Sequence, residues 1–380
     1  MLGDNFLYLR NSWYVVAEAR EVARFSPLVR TIMNENVVLY RGEDGHAVAL
    51  ADRCPHRFAP LSAGRIVGSY LRCGYHGMTF DRTGRCVFNA TQPAEPIQPN
   101  AQVRAYPIVE RHGVLWLWPG AQEFADPSKI PDFSMFDHPD WSAGTAQIVV
   151  KANYLILLDN LLDLSHINFV HGDVLGNPEA NEQLAVSTET FDRGLTERRL
   201  NPSGRAVPAW RAVVSDPWIS DPVDFWMDMH WHAGACLLLD VGVTPAGQPH
   251  ADGRGIIALH CLLPETDTTT RYFYGIAQSY RRKDASIVSF WLDASAYAFE
   301  QDRRVAEAVQ SNMGAEWDIL RMNPVVNKAD RAALRARRIL RRLIADESGG
   351  GLSDQAVSAE QGSGVRQSNS EIDDASARLG

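Results

Sequence analysis

The sequence has few of the features that mark membrane, secreted or nucleic-acid-binding proteins. It contains no run of about 18 apolar residues, which a membrane-spanning helix requires. Residues 1–6 do not combine a basic stretch with an apolar one, so we expect no secretory signal peptide. The formal net charge of -9 argues against a nucleic-acid binder, which is usually basic. We therefore expect a cytoplasmic protein without nucleic-acid or membrane partners.

Cysteine is also scarce, because the chain has only 5 cysteines in 380 residues. An odd, sparse set does not form a disulfide framework and suits a reducing compartment in which thiolates bind metals. Cys86, Cys236 and Cys261 lie in apolar, strand-like segments, so we expect them to be core residues. This leaves Cys54 and Cys73, each in a turn-like segment beside a histidine.

The length suits two domains, and the 45% hydrophobic content can build a sizeable core. Short strand-like runs divided by Pro, Gly and Asn predict an antiparallel β domain over residues 1–120, including a hairpin formed by 37–40 and 47–51. Residues 121–145 are rich in Asp and Pro and are interpreted as a linker.

A second domain is predicted over residues 146–346, and the tail 347–380, rich in Gly, Ser and Asp, is predicted to be disordered. Apolar patterning in the second domain predicts helices at about 284–313 and 327–346. Its strand-like runs are 212–214, 235–239, 255–263 and 272–275. The chain is therefore expected to be an α+β protein.

The first motif with chemical meaning pairs Cys54-x-His56 with Cys73-x-x-His76. Two cysteines and two histidines also form a common zinc site, so structural zinc is the alternative. Zinc fingers, however, group Cys with Cys and His with His, whereas each loop here mixes the two. The mixed order favours a Rieske [2Fe–2S] cluster, in which thiolates hold one iron and imidazoles the other.

The second motif is Asp163-x-x-His166-x-x-x-x-His171, on a predicted apolar helix that must end or bend for His171 to meet His166 at a common point. Asp163 and His166 are i, i+3 neighbours and share a helix face with Asn160, one turn earlier. Buried polar groups aimed in one direction need partners, and a metal ion would provide one. Two core histidines bonded to the backbone are the alternative, and Asn160 itself fits either a metal-facing or a backbone-bonded position.

Both motifs together resemble those of the Rieske non-haem iron oxygenases, in the family's order and with a family-like separation. The resemblance covers the chain to about residue 346 and implies a β Rieske domain followed by a helix-grip (START/Bet v1-like) catalytic domain. It implies a [2Fe–2S] cluster and a mononuclear Fe²⁺ held by His166, His171 and a late-helix carboxylate. Asp302 best matches that carboxylate, with Glu300 and Asp293 as alternatives, and a surface carboxylate paired with arginine is the remaining possibility.

The same resemblance gives Asp163 a role beside the iron rather than on it. It implies that Asp163 accepts the free N–H of His166 and also bonds His76 of a neighbouring subunit, so that electrons cross an interface. The enzyme would then be a ring-shaped oligomer, most simply a homotrimer.

Within the family the chain most resembles the vanillate O-demethylase and dicamba monooxygenase branch, as the contexts Leu9–Ala17, Cys54–Ser62 and Asn160–His166 indicate. Met78 follows His76-Gly77 where ring-hydroxylating dioxygenases typically carry Trp. The implied reaction is hydroxylation of the methyl group of a methoxylated aromatic acid, with release of formaldehyde. It uses O₂ and electrons from NAD(P)H through a separate flavin/iron–sulfur reductase, since the chain shows no flavin or nicotinamide fingerprint.

Other members of the family remain alternatives, namely a ring-hydroxylating oxygenase, an N-demethylase or a sulfonate-type methyl hydroxylase. A Rieske electron carrier is the non-enzyme alternative. His260, on an otherwise apolar strand, is a candidate substrate hydrogen-bond donor, with a satisfied core histidine as the equal alternative. Candidate pocket-wall residues, for which core packing is the alternative, are Leu239, Trp291, Phe169 and Trp226.

Overall fold

The computed structural model describes residues 7–176, 184–234, 236–281 and 284–349. Most of the predicted tail, from residue 350 onward, therefore lies outside the described residues. The first ten strands are β1 (Tyr14–Glu18), β2 (Leu28–Ile32), β3 (Glu35–Arg41), β4 (Ala47–Ala51), β5 (Arg65–Val67), β6 (Tyr70–Arg72), β7 (Thr79–Phe80), β8 (Cys86–Phe88), β9 (Ile108–Arg111) and β10 (Val114–Leu117). The remaining strands are β11 (Ser142–Val150), β12 (Ala185–Phe191), β13 (Gly194–Gly204), β14 (Val223–His232), β15 (Cys236–Pro245), β16 (Arg254–Thr266) and β17 (Thr269–Gln278). The α-helices are α1 (Tyr154–Leu162), α2 (Ile167–Val170), α3 (Pro208–Val213), α4 (Ala285–Met313) and α5 (Arg331–Glu347).

The first ten strands form three small antiparallel sheets, in the orders β1-β10-β9, β2-β3-β4 and β5-β6-β7-β8. The predicted hairpin is confirmed, because β3 and β4 pair with Val37 opposite Ala51. One hydrophobic core includes residues of this region, such as Trp116 and Leu39, and of the second half, such as Leu158. Main-chain hydrogen bonds from Met33 and Asn34 to the end of β16 also tie the halves together.

Seven antiparallel strands build the second half, in the order β11-β17-β16-β15-β14-β13-β12. Helix α4 packs against β11 and β17, and α1 packs against α4. The α+β prediction is therefore confirmed, with the long helix beside one large sheet. Because side chains alternate across a strand, one face of this sheet is directed at the helices and can line an internal cavity.

The strand predicted at residues 212–214 is wrong. Residues 208–213 form α3, which begins with Pro208 at its first turn after the extended residue Val207. Proline is favoured at this position because its missing N–H would be unpaired there in any case. A three-residue apolar run cannot distinguish a strand from a buried helix turn, and Trp210 and Val213 are indeed buried.

The helix predicted to carry Asp163 and His166 on one face, and to end or bend before His171, ends earlier than expected. Helix α1 begins after Asn153, whose side chain accepts the Leu155 N–H, and ends at Leu162. Asp163 leaves the helical conformation with φ -119° and ψ 87°, and its carboxylate accepts the Ser165 N–H at 2.9 Å. An aspartate in this role starts a new helical turn, so a 3-10 turn over residues 164–166 and then α2 follow at a new angle.

In the predicted linker, 3-10 turns form over residues 122–124, 127–129 and 134–136. Ile130 and Phe133 from the same stretch are buried in the main core. None of the helices in the described ranges combines the length and the apolar character needed to cross a membrane.

A buried arginine joins the last helix to the helix that leads to the histidines. Arg337 of α5 is 4% exposed and binds both carboxylate oxygens of Asp159 on α1, at 2.6 and 2.9 Å. It also donates to Asp318 at 3.3 Å, and Asp318 accepts a further bond from Arg341. Burial raises the pKa of Asp159, which Arg337 opposes, so the carboxylate depends on its partner.

We predict that Arg337→Leu lowers the free energy of unfolding by about 3–5 kcal/mol, because two carboxylates lose their buried cation. The matched control is Arg342→Leu on the same helix. Arg342 pairs with Asp192 at the surface, and exposed pairs of this kind contribute at most about 1 kcal/mol. Chemical unfolding followed by circular dichroism measures both changes, and equal effects of the two substitutions would contradict the prediction.

Candidate metal centres

The Cys54 and Cys73 loops repeat one backbone design. The first loop lies between β4 and β5, and the second lies between β6 and β7. In each, the cysteine N–H donates to the carbonyl five residues later (Ala59 or Met78), and the N–H four residues later (Phe58 or Gly77) donates back to the cysteine carbonyl. The two loops therefore present a cysteine and a histidine in similar ways.

Both loops contain a residue in the left-handed region at the same place. Gly77 has φ +74°, and a Cβ there would lie 2.6 Å from the Ala90 side chain, so glycine is required. Phe58 has φ +57°, which is unusual for a bulky residue, and the Arg53 guanidinium lies 4.0 Å from its ring centre. Backbone strain of this kind is found where a loop must hold a functional group in place.

The loops bring like ligand types together. The Cys54 and Cys73 thiols are both buried and interact electrostatically with each other, and the His56 and His76 rings lie 4.6 Å apart between centres. Burial, aided by the neighbouring Cys73, raises the pKa of the Cys54 thiol to about 11. Two adjacent thiolates in this site therefore require positive charge beside them. A pair of thiolates beside a pair of imidazoles is the donor set of a Rieske cluster.

The helix break at Asp163 directs both histidines of the second motif toward α4. His171 Nε2 lies 3.2 Å and His166 Nε2 lies 3.6 Å from Asp302 Oδ1. In the described part of the chain these three residues form the one group of His, Cys, Asp or Glu side chains with ligand atoms all within 4.8 Å. Two imidazoles and a carboxylate are the facial set that suits non-haem iron.

Asp302 is 5% exposed, and Asn160 of α1 donates to the same carboxylate oxygen at 3.2 Å. Burial acts to lower the pKa of His171, but the hydrogen bond and charge of Asp302 outweigh it and raise that pKa. The carboxylate thus attracts positive charge, which either a proton or a metal ion can supply. Asn160 therefore lies beside the three residues, with its side-chain amide bonded to the Asp302 carboxylate rather than to the backbone.

Both alternative carboxylates lie elsewhere. Glu300 forms surface ion pairs with Arg303 and Arg304, at 2.6 and 3.2 Å, and Asp293 is exposed. Neither belongs to the group formed by His166, His171 and Asp302.

Neutral acceptors hold the other nitrogens of the two rings. His166 Nδ1 lies 2.6 Å from the main-chain carbonyl of Asp163, and His171 Nδ1 lies 2.7 Å from Gln301 Oε1. The expected bond from His166 to the Asp163 carboxylate is therefore replaced by one to its carbonyl. Sequence reasoning missed Gln301, since only its position beside Asp302 could have suggested a role.

The Asp163 carboxylate faces a buried ion pair on β13 instead. Arg199 Nη2 lies 3.7 Å from Asp163 Oδ1 and 2.7 Å from Glu197 Oε1. Arg199 and Glu197 are both buried, and burial raises the pKa of Glu197 despite the arginine. Asp163 itself remains 25% exposed, so one side of its carboxylate faces the surface.

A cavity of about 110 Å³ opens beside His166, His171 and Asp302, between the sheet and the helices. Its walls are almost entirely apolar and include the predicted Leu239 and Trp291. The prediction for Trp226 is wrong, because strand alternation puts Phe225 and Met227 in the cavity and Trp226 on the opposite face against Gly242. The prediction for Phe169 is also wrong, since its side chain is 84% exposed.

His260 is one of the few polar residues that line this cavity. It is 3% exposed, and burial lowers its pKa to about 3, so the ring is neutral at physiological pH. Its Nδ1 lies 2.5 Å from the Tyr272 hydroxyl, while its Nε2 has no hydrogen-bond partner among the described residues. If the tyrosine donates to Nδ1, then Nε2 carries the proton and is a buried donor that needs an acceptor.

Comparison with known proteins agrees with these two centres. Residues 12–107 match the Rieske [2Fe-2S] domain family, and residues 150–346 match the vanillate O-demethylase oxygenase C-terminal domain family. The vanillate O-demethylase oxygenase subunit of Pseudomonas sp. (strain HR199) is 32% identical over 350 residues, covering 90% of this chain and 96% of the relative. The toluene-4-sulfonate monooxygenase system iron-sulfur subunit of Comamonas testosteroni is 33% identical over 353 residues, covering 90% and 99%.

A crystal structure of dicamba monooxygenase bound to dicamba superposes with a TM-score of 0.82 at 32% identity, covering 90% of this chain and 99% of that one. The matches extend over both motifs and nearly the full length of the relatives. The chain therefore belongs to the Rieske non-haem iron oxygenases, as the oxygenase component of a monooxygenase with a [2Fe–2S] cluster and a mononuclear iron.

Proposed function

We propose that this enzyme O-demethylates a methoxylated aromatic acid. One oxygen atom of O₂ enters the methyl group, the hemiacetal collapses to a phenol and formaldehyde, and the second oxygen becomes water. The two electrons come from NAD(P)H through a separate flavin/iron–sulfur reductase, and the two protons come from NAD(P)H and the solvent. The observation that carries this proposal is the apolar cavity, which contains the three metal-binding side chains and a few neutral polar groups, among them His260.

The size of the cavity favours a substrate with one ring. Its volume of about 110 Å³ is near that of engineered apolar cavities of about 150 Å³ that bind benzene. Pockets for larger, drug-sized ligands span about 300–1,000 Å³. Leu239 and Trp291 would contact the faces of such a ring and exclude water from the reacting methyl group.

The charge of the cavity favours recognition of the acid group by a neutral donor. No lysine or arginine of the described ranges lines it, so an ion pair with the substrate is not available there. His260 Nε2–H would donate to a carboxylate oxygen, and the Tyr272 hydroxyl would hold the ring in that tautomer. A buried donor left unpaired costs free energy, so analogues without an acceptor at this position should bind less well.

For the cofactors, we assign Cys54 and Cys73 to one iron of the cluster and His56 and His76 to the other. We assign His166, His171 and Asp302 to the mononuclear iron. The paired donors and the proton-attracting carboxylate described above support this assignment. Iron bound there supplies O₂ activation, with electrons from the cluster. Asn160 would hold the Asp302 carboxylate in place through its side-chain amide.

For the assembly, we propose a cytoplasmic homotrimer in which Asp163 bonds the partner subunit's His76. Asp163 is partly exposed, and Phe169 beside it is 84% exposed. On the cluster loops, Tyr75 and Phe58 are 65% and 62% exposed. Apolar groups around both centres would be covered if the cluster loops of one subunit docked on the iron-site helices of the next. We also propose that residues 1–120 form the Rieske domain, 121–145 the linker and 146–346 the catalytic domain.

Asp302→Ala is predicted to remove the mononuclear iron and leave the cluster. Iron content would fall from three atoms per chain to two, because His166 and His171 alone hold the metal weakly. Asp293→Ala, an exposed aspartate of the same helix, is the matched control and keeps three. Iron analysis together with the visible absorbance of the cluster measures this, and three irons in Asp302→Ala would refute the ligand assignment.

Asp163→Asn is predicted to retain both metal centres and nearly abolish turnover. The amide keeps the size of the side chain and the main-chain carbonyl that holds His166, but it removes the charge between the subunits. Pre-reduced enzyme mixed with substrate and O₂ should reoxidise its cluster far more slowly than the parent enzyme. Size-exclusion chromatography checks that the oligomer persists, and full activity in the variant would rule out the bridging role.

The proposed reaction is tested with a panel of methoxylated aromatic acids, reductase and NADH, with formaldehyde trapped and quantified. We expect equal amounts of phenol, formaldehyde and consumed NADH, and lower activity for the matched ethers that lack the carboxylate. Asp302→Ala enzyme is the control for uncatalysed release. A cis-diol, or no product with any methyl ether, would contradict O-demethylation.

Methyl hydroxylation without ether cleavage is a second candidate, because the toluene-4-sulfonate monooxygenase subunit is 33% identical to this chain. A methyl group bonded to carbon would give a stable hydroxymethyl product rather than formaldehyde. Adding methyl-substituted arene sulfonates and carboxylates to the same panel distinguishes the two reactions, since only ether substrates release formaldehyde.

A further inference from the structure

Gln301 precedes Asp302 on α4 and contacts the far side of the same imidazole. Its Oε1 lies 2.7 Å from His171 Nδ1, while Asp302 Oδ1 lies 3.2 Å from His171 Nε2. Two successive residues of one helix therefore hold both nitrogens of one ring. We propose that Gln301 is a positioning residue that sets the tautomer and orientation of His171 for iron, an inference that rests on the proposed ligand role of His171.

The chemistry of the amide oxygen determines which nitrogen can bind metal. A side-chain amide oxygen only accepts hydrogen bonds, so its partner Nδ1 must carry the proton. The Nε2 lone pair is then free and directed toward Asp302. With the opposite tautomer, Nε2 would carry a proton and could not bind a metal ion. Acceptors that hold a ligating histidine in this way are worth about 10–100-fold in metal affinity.

Of the two groups that accept a hydrogen bond from the ligand histidines, Gln301 is the one that a substitution can remove. The corresponding acceptor for His166 is the main-chain carbonyl of Asp163, which no side-chain substitution removes. Both acceptors are neutral, so Asp302 supplies the negative charge of the three proposed ligands. An amide rather than a carboxylate at position 301 thus orients the ring without adding a second negative charge beside the metal.

A purely structural role for Gln301 makes a different prediction. Helix α4 contacts α2, and a bridge from Gln301 to His171 could simply stabilise that contact. Removing a structural bridge would lower the unfolding temperature of the iron-free protein. Removing a positioning group would leave that temperature unchanged and weaken iron binding. The two roles are therefore distinguished by measurements that do not depend on turnover.

The experiment uses full-length enzyme with an intact cluster, from which the mononuclear iron has been removed by a chelator. Fe²⁺ is titrated back anaerobically into the parent, Gln301→Leu, Gln301→Met and Gln301→Glu proteins. We expect the Leu and Met variants to bind Fe²⁺ about 10–100-fold more weakly, with unchanged cluster absorbance and unchanged unfolding temperature of the iron-free protein. Gln301→Glu keeps the acceptor and should keep near-parental affinity, with a lower reduction potential because of its added charge.

Glu300→Gln is the matched control, because it changes the adjacent side chain on the exposed face, where Glu300 pairs with Arg303 and Arg304. It should bind Fe²⁺ as the parent does. Parental affinity in both Gln301→Leu and Gln301→Met would overturn the inference, as would a loss of affinity matched by a fall in the unfolding temperature in both variants.

His171→Ala separates this inference from the assignment of the ligands. If His171→Ala also binds Fe²⁺ as tightly as the parent, then the proposed ligand set is wrong. If His171→Ala loses the iron while the Gln301 variants keep it, then the ligand set stands and only the positioning role of Gln301 fails.

Discussion

The Asp302 carboxylate, 5% exposed beside an apolar cavity, is the constraint on which the catalytic half depends. An ionised carboxylate is costly to bury unless charges or hydrogen bonds compensate it. Here the compensation converges from three segments: Asn160 from α1, His166 from the turn after it, and His171 from the end of α2. A continuous helix could not supply all three groups to one oxygen, because residues five apart diverge around its axis. The break in the helix at Asp163 therefore allows Asn160, His166 and His171 to reach the buried Asp302 carboxylate together.

The same requirement appears behind the site, on a neighbouring face of α1. Asp159 lies one residue before Asn160 and binds the buried Arg337, which also pairs with Asp318. Helix α1 is thus held by polar contacts at two faces, one toward α5 and one toward Asp302. Because a displaced buried charge is expensive, these contacts limit rotation or sliding of α1. These contacts help to keep the Asn160 side chain directed at Asp302 and the end of α1 in place.

Sequence reasoning predicted features that depend on short-range chemistry. The Cys54/His56 and Cys73/His76 motifs carry their own turn signals, and both loops close on local hydrogen bonds, so their spacing alone indicates the donor set. The predicted late helix, strand pairs and α+β class follow from periodic patterns. Predictions failed where a tertiary contact or a capping residue decides the outcome. From sequence alone Asp163 is compatible with a helix, but in the structure its carboxylate accepts the Ser165 N–H and interrupts the helix. Residues 212–214 contain too few positions to distinguish a strand from a helix by their apolar pattern.

Side-chain roles were harder to predict because they depend on which face of an element meets a neighbour. Trp226 is apolar and close in sequence to Phe225 and Met227, but strand alternation directs it to the other face of the sheet. Gln301 next to Asp302 has no pattern of its own, since its partner His171 lies 130 residues away. Only the packing of α4 against α2 brings the two together.

The exposed side chain of Phe169 bears on how the subunits assemble. It lies between His166 and His171 in sequence, yet its ring is 84% exposed, which is unusual for a phenylalanine beside a catalytic centre. Single exposed apolar residues need no explanation, but Tyr75 and Phe58 are similarly exposed on the cluster loops. Each of the two centres therefore has an aromatic side chain at the surface beside a group able to carry electrons or charge. A ring of subunits covers both surfaces with one repeated head-to-tail contact. The exposed aromatic residues are compatible with the head-to-tail assembly that we propose, in which the contact that buries Phe169 also brings Asp163 to the partner subunit's His76.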